Sequence, residues 1–202
     1  MIYTLVKNLF KILFTIFLRL KVEGTENIPK DGPLVIASNH LSLLDPPVLG
    51  TAATRKVHFM AKEELFVPVL GTIYKILGAF PVRRGGADRA AIKHGIDILE
   101  SGQVLAIFPE GTRNKTEDLM LPFKEGSFKM AEKTGCLIVP MAISGSADIL
   151  EAHFPKVKPV HVIVEYGKPI DPKSLDKDTR KKIGSHCQGV IAEMLEKNNP
   201  QI

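Results

Sequence analysis

The chain has 202 residues, 45% of them hydrophobic and 24% charged, which suits one globular domain with a sizeable core and excludes a disordered chain. Its formal net charge of +5 favours an anionic partner, either a phosphorylated substrate or an anionic membrane surface. Nucleic acid is excluded as the partner: aromatics make up only 6%, Trp is absent, and no basic run is interleaved with stacking rings.

The first twenty residues form the most apolar segment. Ile2, Leu5, Val6, Leu9, Ile12, Leu13, Ile16, Phe17 and Leu20 recur at helical spacing, and Phe10, Phe14 and Leu18 broaden that face. Lys7, Asn8, Lys11, Thr15 and Arg19 make a narrow polar stripe. Twelve Leu, Ile, Val and Phe side chains favour insertion by about 5 kcal/mol in total. Three cations cost about 2.5–3.5 kcal/mol each if central, and the uncharged run between Lys11 and Arg19 is too short to span. A helix over residues 1–20 lying in a membrane interface is therefore expected, with a core-packed helix as the alternative. No small-x-small site follows it, so a cleaved leader is not expected.

From Lys21 onward short apolar runs alternate with helical patterns. Strands are predicted over Leu34–Ser38, Val57–Ala61, Ala79–Val82, Val104–Phe108, Leu137–Ser144 and Val160–Tyr166. Helices are predicted over Leu43–Thr54, Glu63–Leu77, Ala87–Ser101, Gly126–Thr134 and Leu175–Lys197. The alternation predicts an α/β single-domain sandwich over residues 21–202, with a mixed, mainly parallel central sheet flanked by helices. Asp31-Gly32-Pro33, Gly85-Gly86 and Ser101-Gly102 read as turns, and residues 145–159 as a surface loop.

The chemistry concentrates at strand ends. Asn39-His40-Leu-Ser-Leu-Leu-Asp45 follows the first apolar run, with Ser42 expected to cap a helix whose first turn holds Asp45. Asp45 folded back onto the imidazole would orient His40 as a base, with no nucleophile of the protein's own in the run. An ordinary helix cap beside an exposed His is the structural alternative. Phe108-Pro-Glu110-Gly111-Thr112-Arg113 follows another strand, where parallel sheets bind ligands. Gly111 allows close backbone approach, Arg113 offers a planar fork for phosphate, and Glu110 could accept from a hydroxyl. Arg83, Arg84 and Arg89 cluster near Gly85-Gly86 and suit phosphate or, equally, a solvated basic face; Lys62, immediately after the predicted strand Val57–Ala61, is a weaker candidate of the same sort. Phe123-Lys-Glu-Gly126 opens another helix whose amides could meet an anion.

Other chemistries lack their signatures. No Gly-x-Ser-x-Gly elbow, phosphate-binding Gly-x-x-x-x-Gly-Lys-Ser/Thr loop or dinucleotide Gly-x-Gly-x-x-Gly occurs. The other five His show no metal spacing, and Cys136 and Cys187 are expected to be free thiols, so neither a metal nor a cofactor is anticipated.

Taken in order, Asn39-His40-Leu-Ser42-Leu-Leu-Asp45, Gly78-Ala-Phe80-Pro-Val-Arg83, Phe108-Pro-Glu110-Gly-Thr-Arg113 and Val139-Pro140-Met-Ala-Ile143 resemble the four blocks of the glycerolipid acyltransferases, in particular bacterial 1-acyl-sn-glycerol-3-phosphate acyltransferases. The similarity runs from about Lys21 to Tyr166. It implies transfer of a fatty acyl group from a thioester, acyl-CoA or acyl carrier protein, to the sn-2 hydroxyl of lysophosphatidate. His40 would serve as base, Asp45 would orient it, and Arg83, Glu110 and Arg113 with Lys62 would hold the glycerol phosphate, in a site shaped by Gly111 and Thr112. Peripheral attachment at the cytoplasmic face of the cell membrane would follow. Two competing readings are a different acceptor, such as glycerol 3-phosphate or another lysolipid, and a non-catalytic lipid-binding protein of the same fold.

Overall fold

A computed structural model describes residues 2–68, 70–83, 88–147 and 160–198. The predicted Gly85-Gly86 turn, Arg84 and most of the 145–159 loop lie outside the described residues. In chain order the elements are α1 (Ile2–Phe17), β1 (Lys21–Glu23), β2 (Leu34–Ser38), α2 (Asp45–Ala52), β3 (Val57–Lys62), α3 (Leu70–Ile76), β4 (Ala79–Val82), α4 (Arg89–Glu100), β5 (Val104–Ile107), α5 (Lys129–Thr134), β6 (Leu137–Ser144), β7 (Ile163–Tyr166), α6 (Lys177–Lys181) and α7 (Ile183–Asn198).

The strands form one sheet in the order β1-β7-β6-β2-β5-β3-β4. Neighbours from β6 through β4 pair parallel, while β7 runs antiparallel to β6 and parallel to β1. The expected mixed, mainly parallel α/β architecture is the one observed. Its direct consequence is that β2, β3, β4 and β5 all end at one edge, which gathers residues 39–40, 62, 83 and 108–113 there.

Strand alternation builds two cores. Val35, Ala37, Leu105, Ile107, Ile138 and Ala142 face α4, α5 and α7. Leu34, Ile36, Val104, Ala106, Val139, Met141 and Ile143 face α1 and α2. These strands are apolar throughout because both faces are covered. Each fully buried Leu, Ile or Val stabilises the fold by about 1.5–3 kcal/mol relative to exposure.

Several elements differ from expectation, each for a tertiary reason. β1 was not anticipated; it is only three residues long and exists by pairing with β7, Lys21 opposite Ile163. The strands expected to start at Val160 and to end at Phe108 are trimmed to Ile163–Tyr166 and Val104–Ile107. The predicted Glu63–Leu77 helix is a 3-10 turn at Glu63–Leu65 followed by α3. Gly78 then turns the chain into β4 at φ 95°, where any Cβ would collide with the Val57 carbonyl oxygen. The helix predicted over Leu175–Lys197 is two helices that part at Lys182. Asp176 caps the first through the Asp178 and Thr179 amides. Glu125 caps the second from 59 residues away, accepting from Gly184 N at 2.7 Å and Ser185 N at 3.0 Å.

Helix α1 combines features of both expectations. Phe14 and Leu18 are buried against the α2-side core with Phe10 packed beside them. Ile2, Leu5, Leu9, Ile12, Ile16 and Phe17 remain 55–72% exposed. Lys7 departs from the expected polar stripe: it is half-buried and donates to the Ala53 carbonyl at 2.5 Å, at the carboxyl end of α2. A cation suits that end of a helix. Burial, reinforced by Lys11, holds the Lys7 ammonium below its ordinary pKa. No helix among the described residues is long and apolar enough to cross a membrane.

Candidate active site

Beyond β2 the chain leaves the sheet at Asn39, a fully buried side chain. Its Nδ2 donates to Ile143 O at 2.9 Å and its Oδ1 accepts from Ile143 N at 2.8 Å. The amide thus extends the β2–β6 ladder by one side-chain rung and fixes where the next residue, His40, emerges. Reading the sequence alone gave Asn39 no task; an amide flanking a buried strand end was the available signal.

The His40 ring is 12% exposed and its Nδ1 lies 2.9 Å from Asp45 Oδ2. That same oxygen accepts from the Leu41 amide at 2.6 Å and the Ser42 amide at 2.7 Å. Asp45 is fully buried. Three donors therefore converge on one carboxylate oxygen and fold the corner back on itself. The helix start differs from the expected one. Asp45 is the first residue of α2, Leu44 occupies the cap position, and Ser42 Oγ accepts only from Leu44 N at 3.3 Å. Pro46 and Pro47 carry no N–H, so the first turn has fewer donors for a Ser cap to satisfy. The carboxylate is thereby free to serve the loop and the imidazole.

Phe108 stacks on the His40 ring, with centroids 4.3 Å apart and an interplanar angle of 28°. The backbone of His40 is gripped from both sides: its N–H donates to Glu110 Oε1 at 2.6 Å, and its carbonyl accepts from Asn114 N at 2.7 Å. With Nδ1–H donated to Asp45, a neutral ring presents the Nε2 lone pair outward. Among the described residues no Ser, Thr or Cys side chain hydrogen-bonds this ring.

Glu110, expected to contact substrate, faces backbone amides. It is 2% exposed, and its second oxygen accepts from Leu121 N at 2.8 Å. Two backbone amides occupy the carboxylate because the turn after β5 closes over it. The carboxylate ties the His40 backbone to the loop at Leu121. Burial raises its pKa above the ordinary value, opposed by the amide hydrogen bonds from Leu121 and His40.

Gly111 and Thr112 are exposed at the tip of this turn and Arg113 is half-buried beside it. Gly111 adopts φ 72°, a left-handed conformation that favours glycine. Among the described residues the Arg113 guanidinium makes no hydrogen bond. Lys62 and Arg83 stand at the carboxyl ends of paired strands, Lys62 in register with Val82. The Arg83 Nε lies 2.9 Å from Glu63 Oε2, with side chains 79% and 54% exposed. Such an open pair contributes little stability and leaves the guanidinium able to exchange partners. Arg89 begins α4, after the Asp88 cap. Among the described residues no cluster of His, Cys, Asp and Glu could hold a metal.

A base held by a buried carboxylate, at the carboxyl edge of a mainly parallel sheet that also carries Lys62, Arg83 and Arg113, defines a class of site suited to proton removal from a bound anionic alcohol. A model of the Acyltransferase family matches residues 19–144, and the chain belongs to that family. It is 33% identical over 189 residues to the 1-acyl-sn-glycerol-3-phosphate acyltransferase of Saccharomyces cerevisiae, covering 89% of this chain and 59% of that protein. To the enzyme of the same name from Bacillus subtilis it is 35% identical over 145 residues, 71% of each chain. The crystal structure of the 1-acyl-sn-glycerophosphate (LPA) acyltransferase from Thermotoga maritima superposes with a TM-score of 0.83 at 30% identity, over 99% of this chain and 80% of that one. The chain thus spans under two thirds of the yeast relative's length.

Proposed function

We propose that the chain transfers a fatty acyl group from a thioester to the sn-2 hydroxyl of lysophosphatidate, giving phosphatidate. The observation that carries this reading is the 2.9 Å contact between His40 Nδ1 and Asp45 Oδ2, with no Ser, Thr or Cys side chain among the described residues hydrogen-bonded to the ring. Chemistry at such a site needs a nucleophile from the substrate, and an alcohol fits. His40 Nε2 takes the hydroxyl proton as the oxygen attacks the thioester carbonyl carbon. The tetrahedral intermediate then collapses, the C–S bond breaks, and the imidazolium returns its proton to the departing thiolate. Asp45 orients the ring and stabilises its cationic form.

Lys62, Arg83 and Arg113 supply positive charge for the acceptor phosphate, and Gly111 with Thr112 shapes the turn that the acceptor meets. No cofactor takes part; acyl-CoA or acyl carrier protein is the co-substrate. The exposed apolar row of α1 supports peripheral attachment to an anionic membrane surface, at the cytoplasmic face, where both lipid substrate and lipid product reside.

The test measures thiol release from palmitoyl-CoA with a panel of acceptors, for the wild type and His40→Ala. The expected result is turnover on lysophosphatidate that falls by about two or more orders of magnitude in the variant. Equal or faster wild-type turnover on glycerol 3-phosphate would reassign the acceptor. Turnover untouched by the substitution would leave a non-catalytic role for His40.

A further inference from the structure

Lys124 carries a contact that the site described above does not use. Its backbone and both neighbouring residues are tied to other parts of the fold. The Phe123 amide donates to Gln188 Oε1 of α7 at 2.9 Å. The Lys124 amide donates to Pro109 O at 3.1 Å, and the Glu125 carboxylate accepts the Gly184 and Ser185 amides that open α7. Three consecutive residues are thus tied, two of them to a helix that lies beyond the family-matched span of residues 19–144.

What those ties leave unanchored is the Lys124 side chain, which is exposed. It reaches back across the turn after β5. A methyl group placed at Gly111 would lie 2.6 Å from Lys124 Nζ and 3.4 Å from its Cε. The ammonium therefore lies against the face of Gly111 where any other residue would project its side chain. Among the described residues that ammonium has neither a carboxylate nor a carbonyl partner. Arg113, two positions further along the same turn, likewise makes no side-chain hydrogen bond among the described residues. The turn that carries Gly111 and Arg113 is bound to His40, because Asn114 N donates to His40 O at 2.7 Å.

A cation held over a glycine turn beside the base, with its donors unspent, is preorganised for an anion. Gly111 serves this arrangement twice, through its left-handed φ and by leaving room for the ammonium. Resting on the acyltransferase reading above, we infer that Lys124 is a substrate-binding residue. Its ammonium, with Arg113, takes a phosphate group of a substrate at the Gly111 turn. Two substrates carry such a group, the lysophosphatidate acceptor and the coenzyme A donor.

The experiment determines kcat and KM for Lys124→Gln and Lys124→Arg, varying lysophosphatidate at saturating palmitoyl-CoA and then the reverse, with thermal melts confirming the fold. Lys124→Gln is expected to raise one KM about tenfold or more, the loss of one charge-assisted contact, and to spare the other KM, while Lys124→Arg retains most of the affinity. A rise confined to lysophosphatidate assigns the acceptor phosphate; a rise confined to palmitoyl-CoA assigns the donor phosphates. Both KM values unchanged in a folded Lys124→Gln variant would overturn the inference. Should the wild type turn over neither pair, the acyltransferase reading fails on its own. Broadening of the phosphorus resonances of glycerol 3-phosphate and of coenzyme A, each added alone, then decides for Lys124. Broadening of either that is lost in Lys124→Gln supports the site, and the same spectra with both proteins refute it.

Discussion

The Glu110 carboxylate accepts the backbone N–H of His40 at 2.6 Å, across 70 residues of chain. With its other oxygen on Leu121 N, one buried side chain joins the loop after β2 to the loop that follows β5. The base is thus set by its backbone as much as by the carboxylate on its ring.

Replacing Glu110 by Ala leaves the amides of His40 and Leu121 without their partners in a partly buried site. Each orphaned donor costs about 1–3 kcal/mol. For a domain of this size the melting temperature should fall by about 2–4 °C per kcal/mol. Activity should fall further than the melt predicts at assay temperature, because His40 loses its anchor. A variant that melts and turns over like the wild type would remove Glu110 from the site's architecture.

The same carboxyl makes stability depend on pH. Burial lifts its pKa above the ordinary 4.5, so the folded protein holds this proton more tightly than the unfolded chain does. Its contribution is therefore fullest below that ordinary value and is lost as pH climbs through the raised folded pKa. The melting temperature of the wild type minus that of Glu110→Gln should decline as pH rises through this window. A difference that stays flat or grows would contradict the assignment.

Asp45→Asn preserves size but removes the charge on which three donors converge. Turnover should drop by about two to four orders of magnitude, the imidazolium having lost its counter-charge. The Leu41 and Ser42 amides can still find the remaining amide oxygen, so far-ultraviolet circular dichroism should be unaltered. Retention of more than about a tenth of the rate would argue that the ring is oriented by Phe108 stacking instead.

Cys136 and Cys187 are both free and buried. Burial raises the Cys136 thiol and pushes the Cys187 thiol up to about 12. Neither carries appreciable thiolate at neutral pH. Ellman's reagent should find no reactive thiol in the native protein and two after denaturation in urea. Prompt labelling of the native protein would show that these core positions open.

The two faces of α1 should separate folding from membrane binding. Changing Leu5, Leu9, Ile12 and Ile16 to Ser together removes apolar groups that are 55–72% exposed, so the melt should barely move. Co-sedimentation with anionic vesicles should fall sharply, since each such side chain contributes about 1.5–3 kcal/mol when buried. Phe14→Ser, at a buried position, should instead lower the melting temperature. Vesicle binding that survives the fourfold change would detach α1 from the membrane.

The sequence disclosed what is local. β2, β5 and β6 stand out as apolar runs between turns because both their faces are covered, and His40 with Asp45 stands out because a single corner holds the pair. The alternation of strand and helix carried the sheet's character. Its mainly parallel pairing in turn placed Lys62, Arg83 and the 108–113 turn at one edge.

Other features depend on partners that sequence spacing does not reveal. Glu110 turns inward to His40, Lys7 finds the end of α2, Glu125 caps α7, and β1 exists only alongside β7. Lys124 over Gly111 belongs to the same group. The entropic cost of closing a loop grows only slowly with its length, so a carboxylate can satisfy an amide 59 or 70 residues away nearly as readily as one close by. Which amide it meets is decided by packing of the sheet and helices, and the roles of these side chains appear only once that packing is complete.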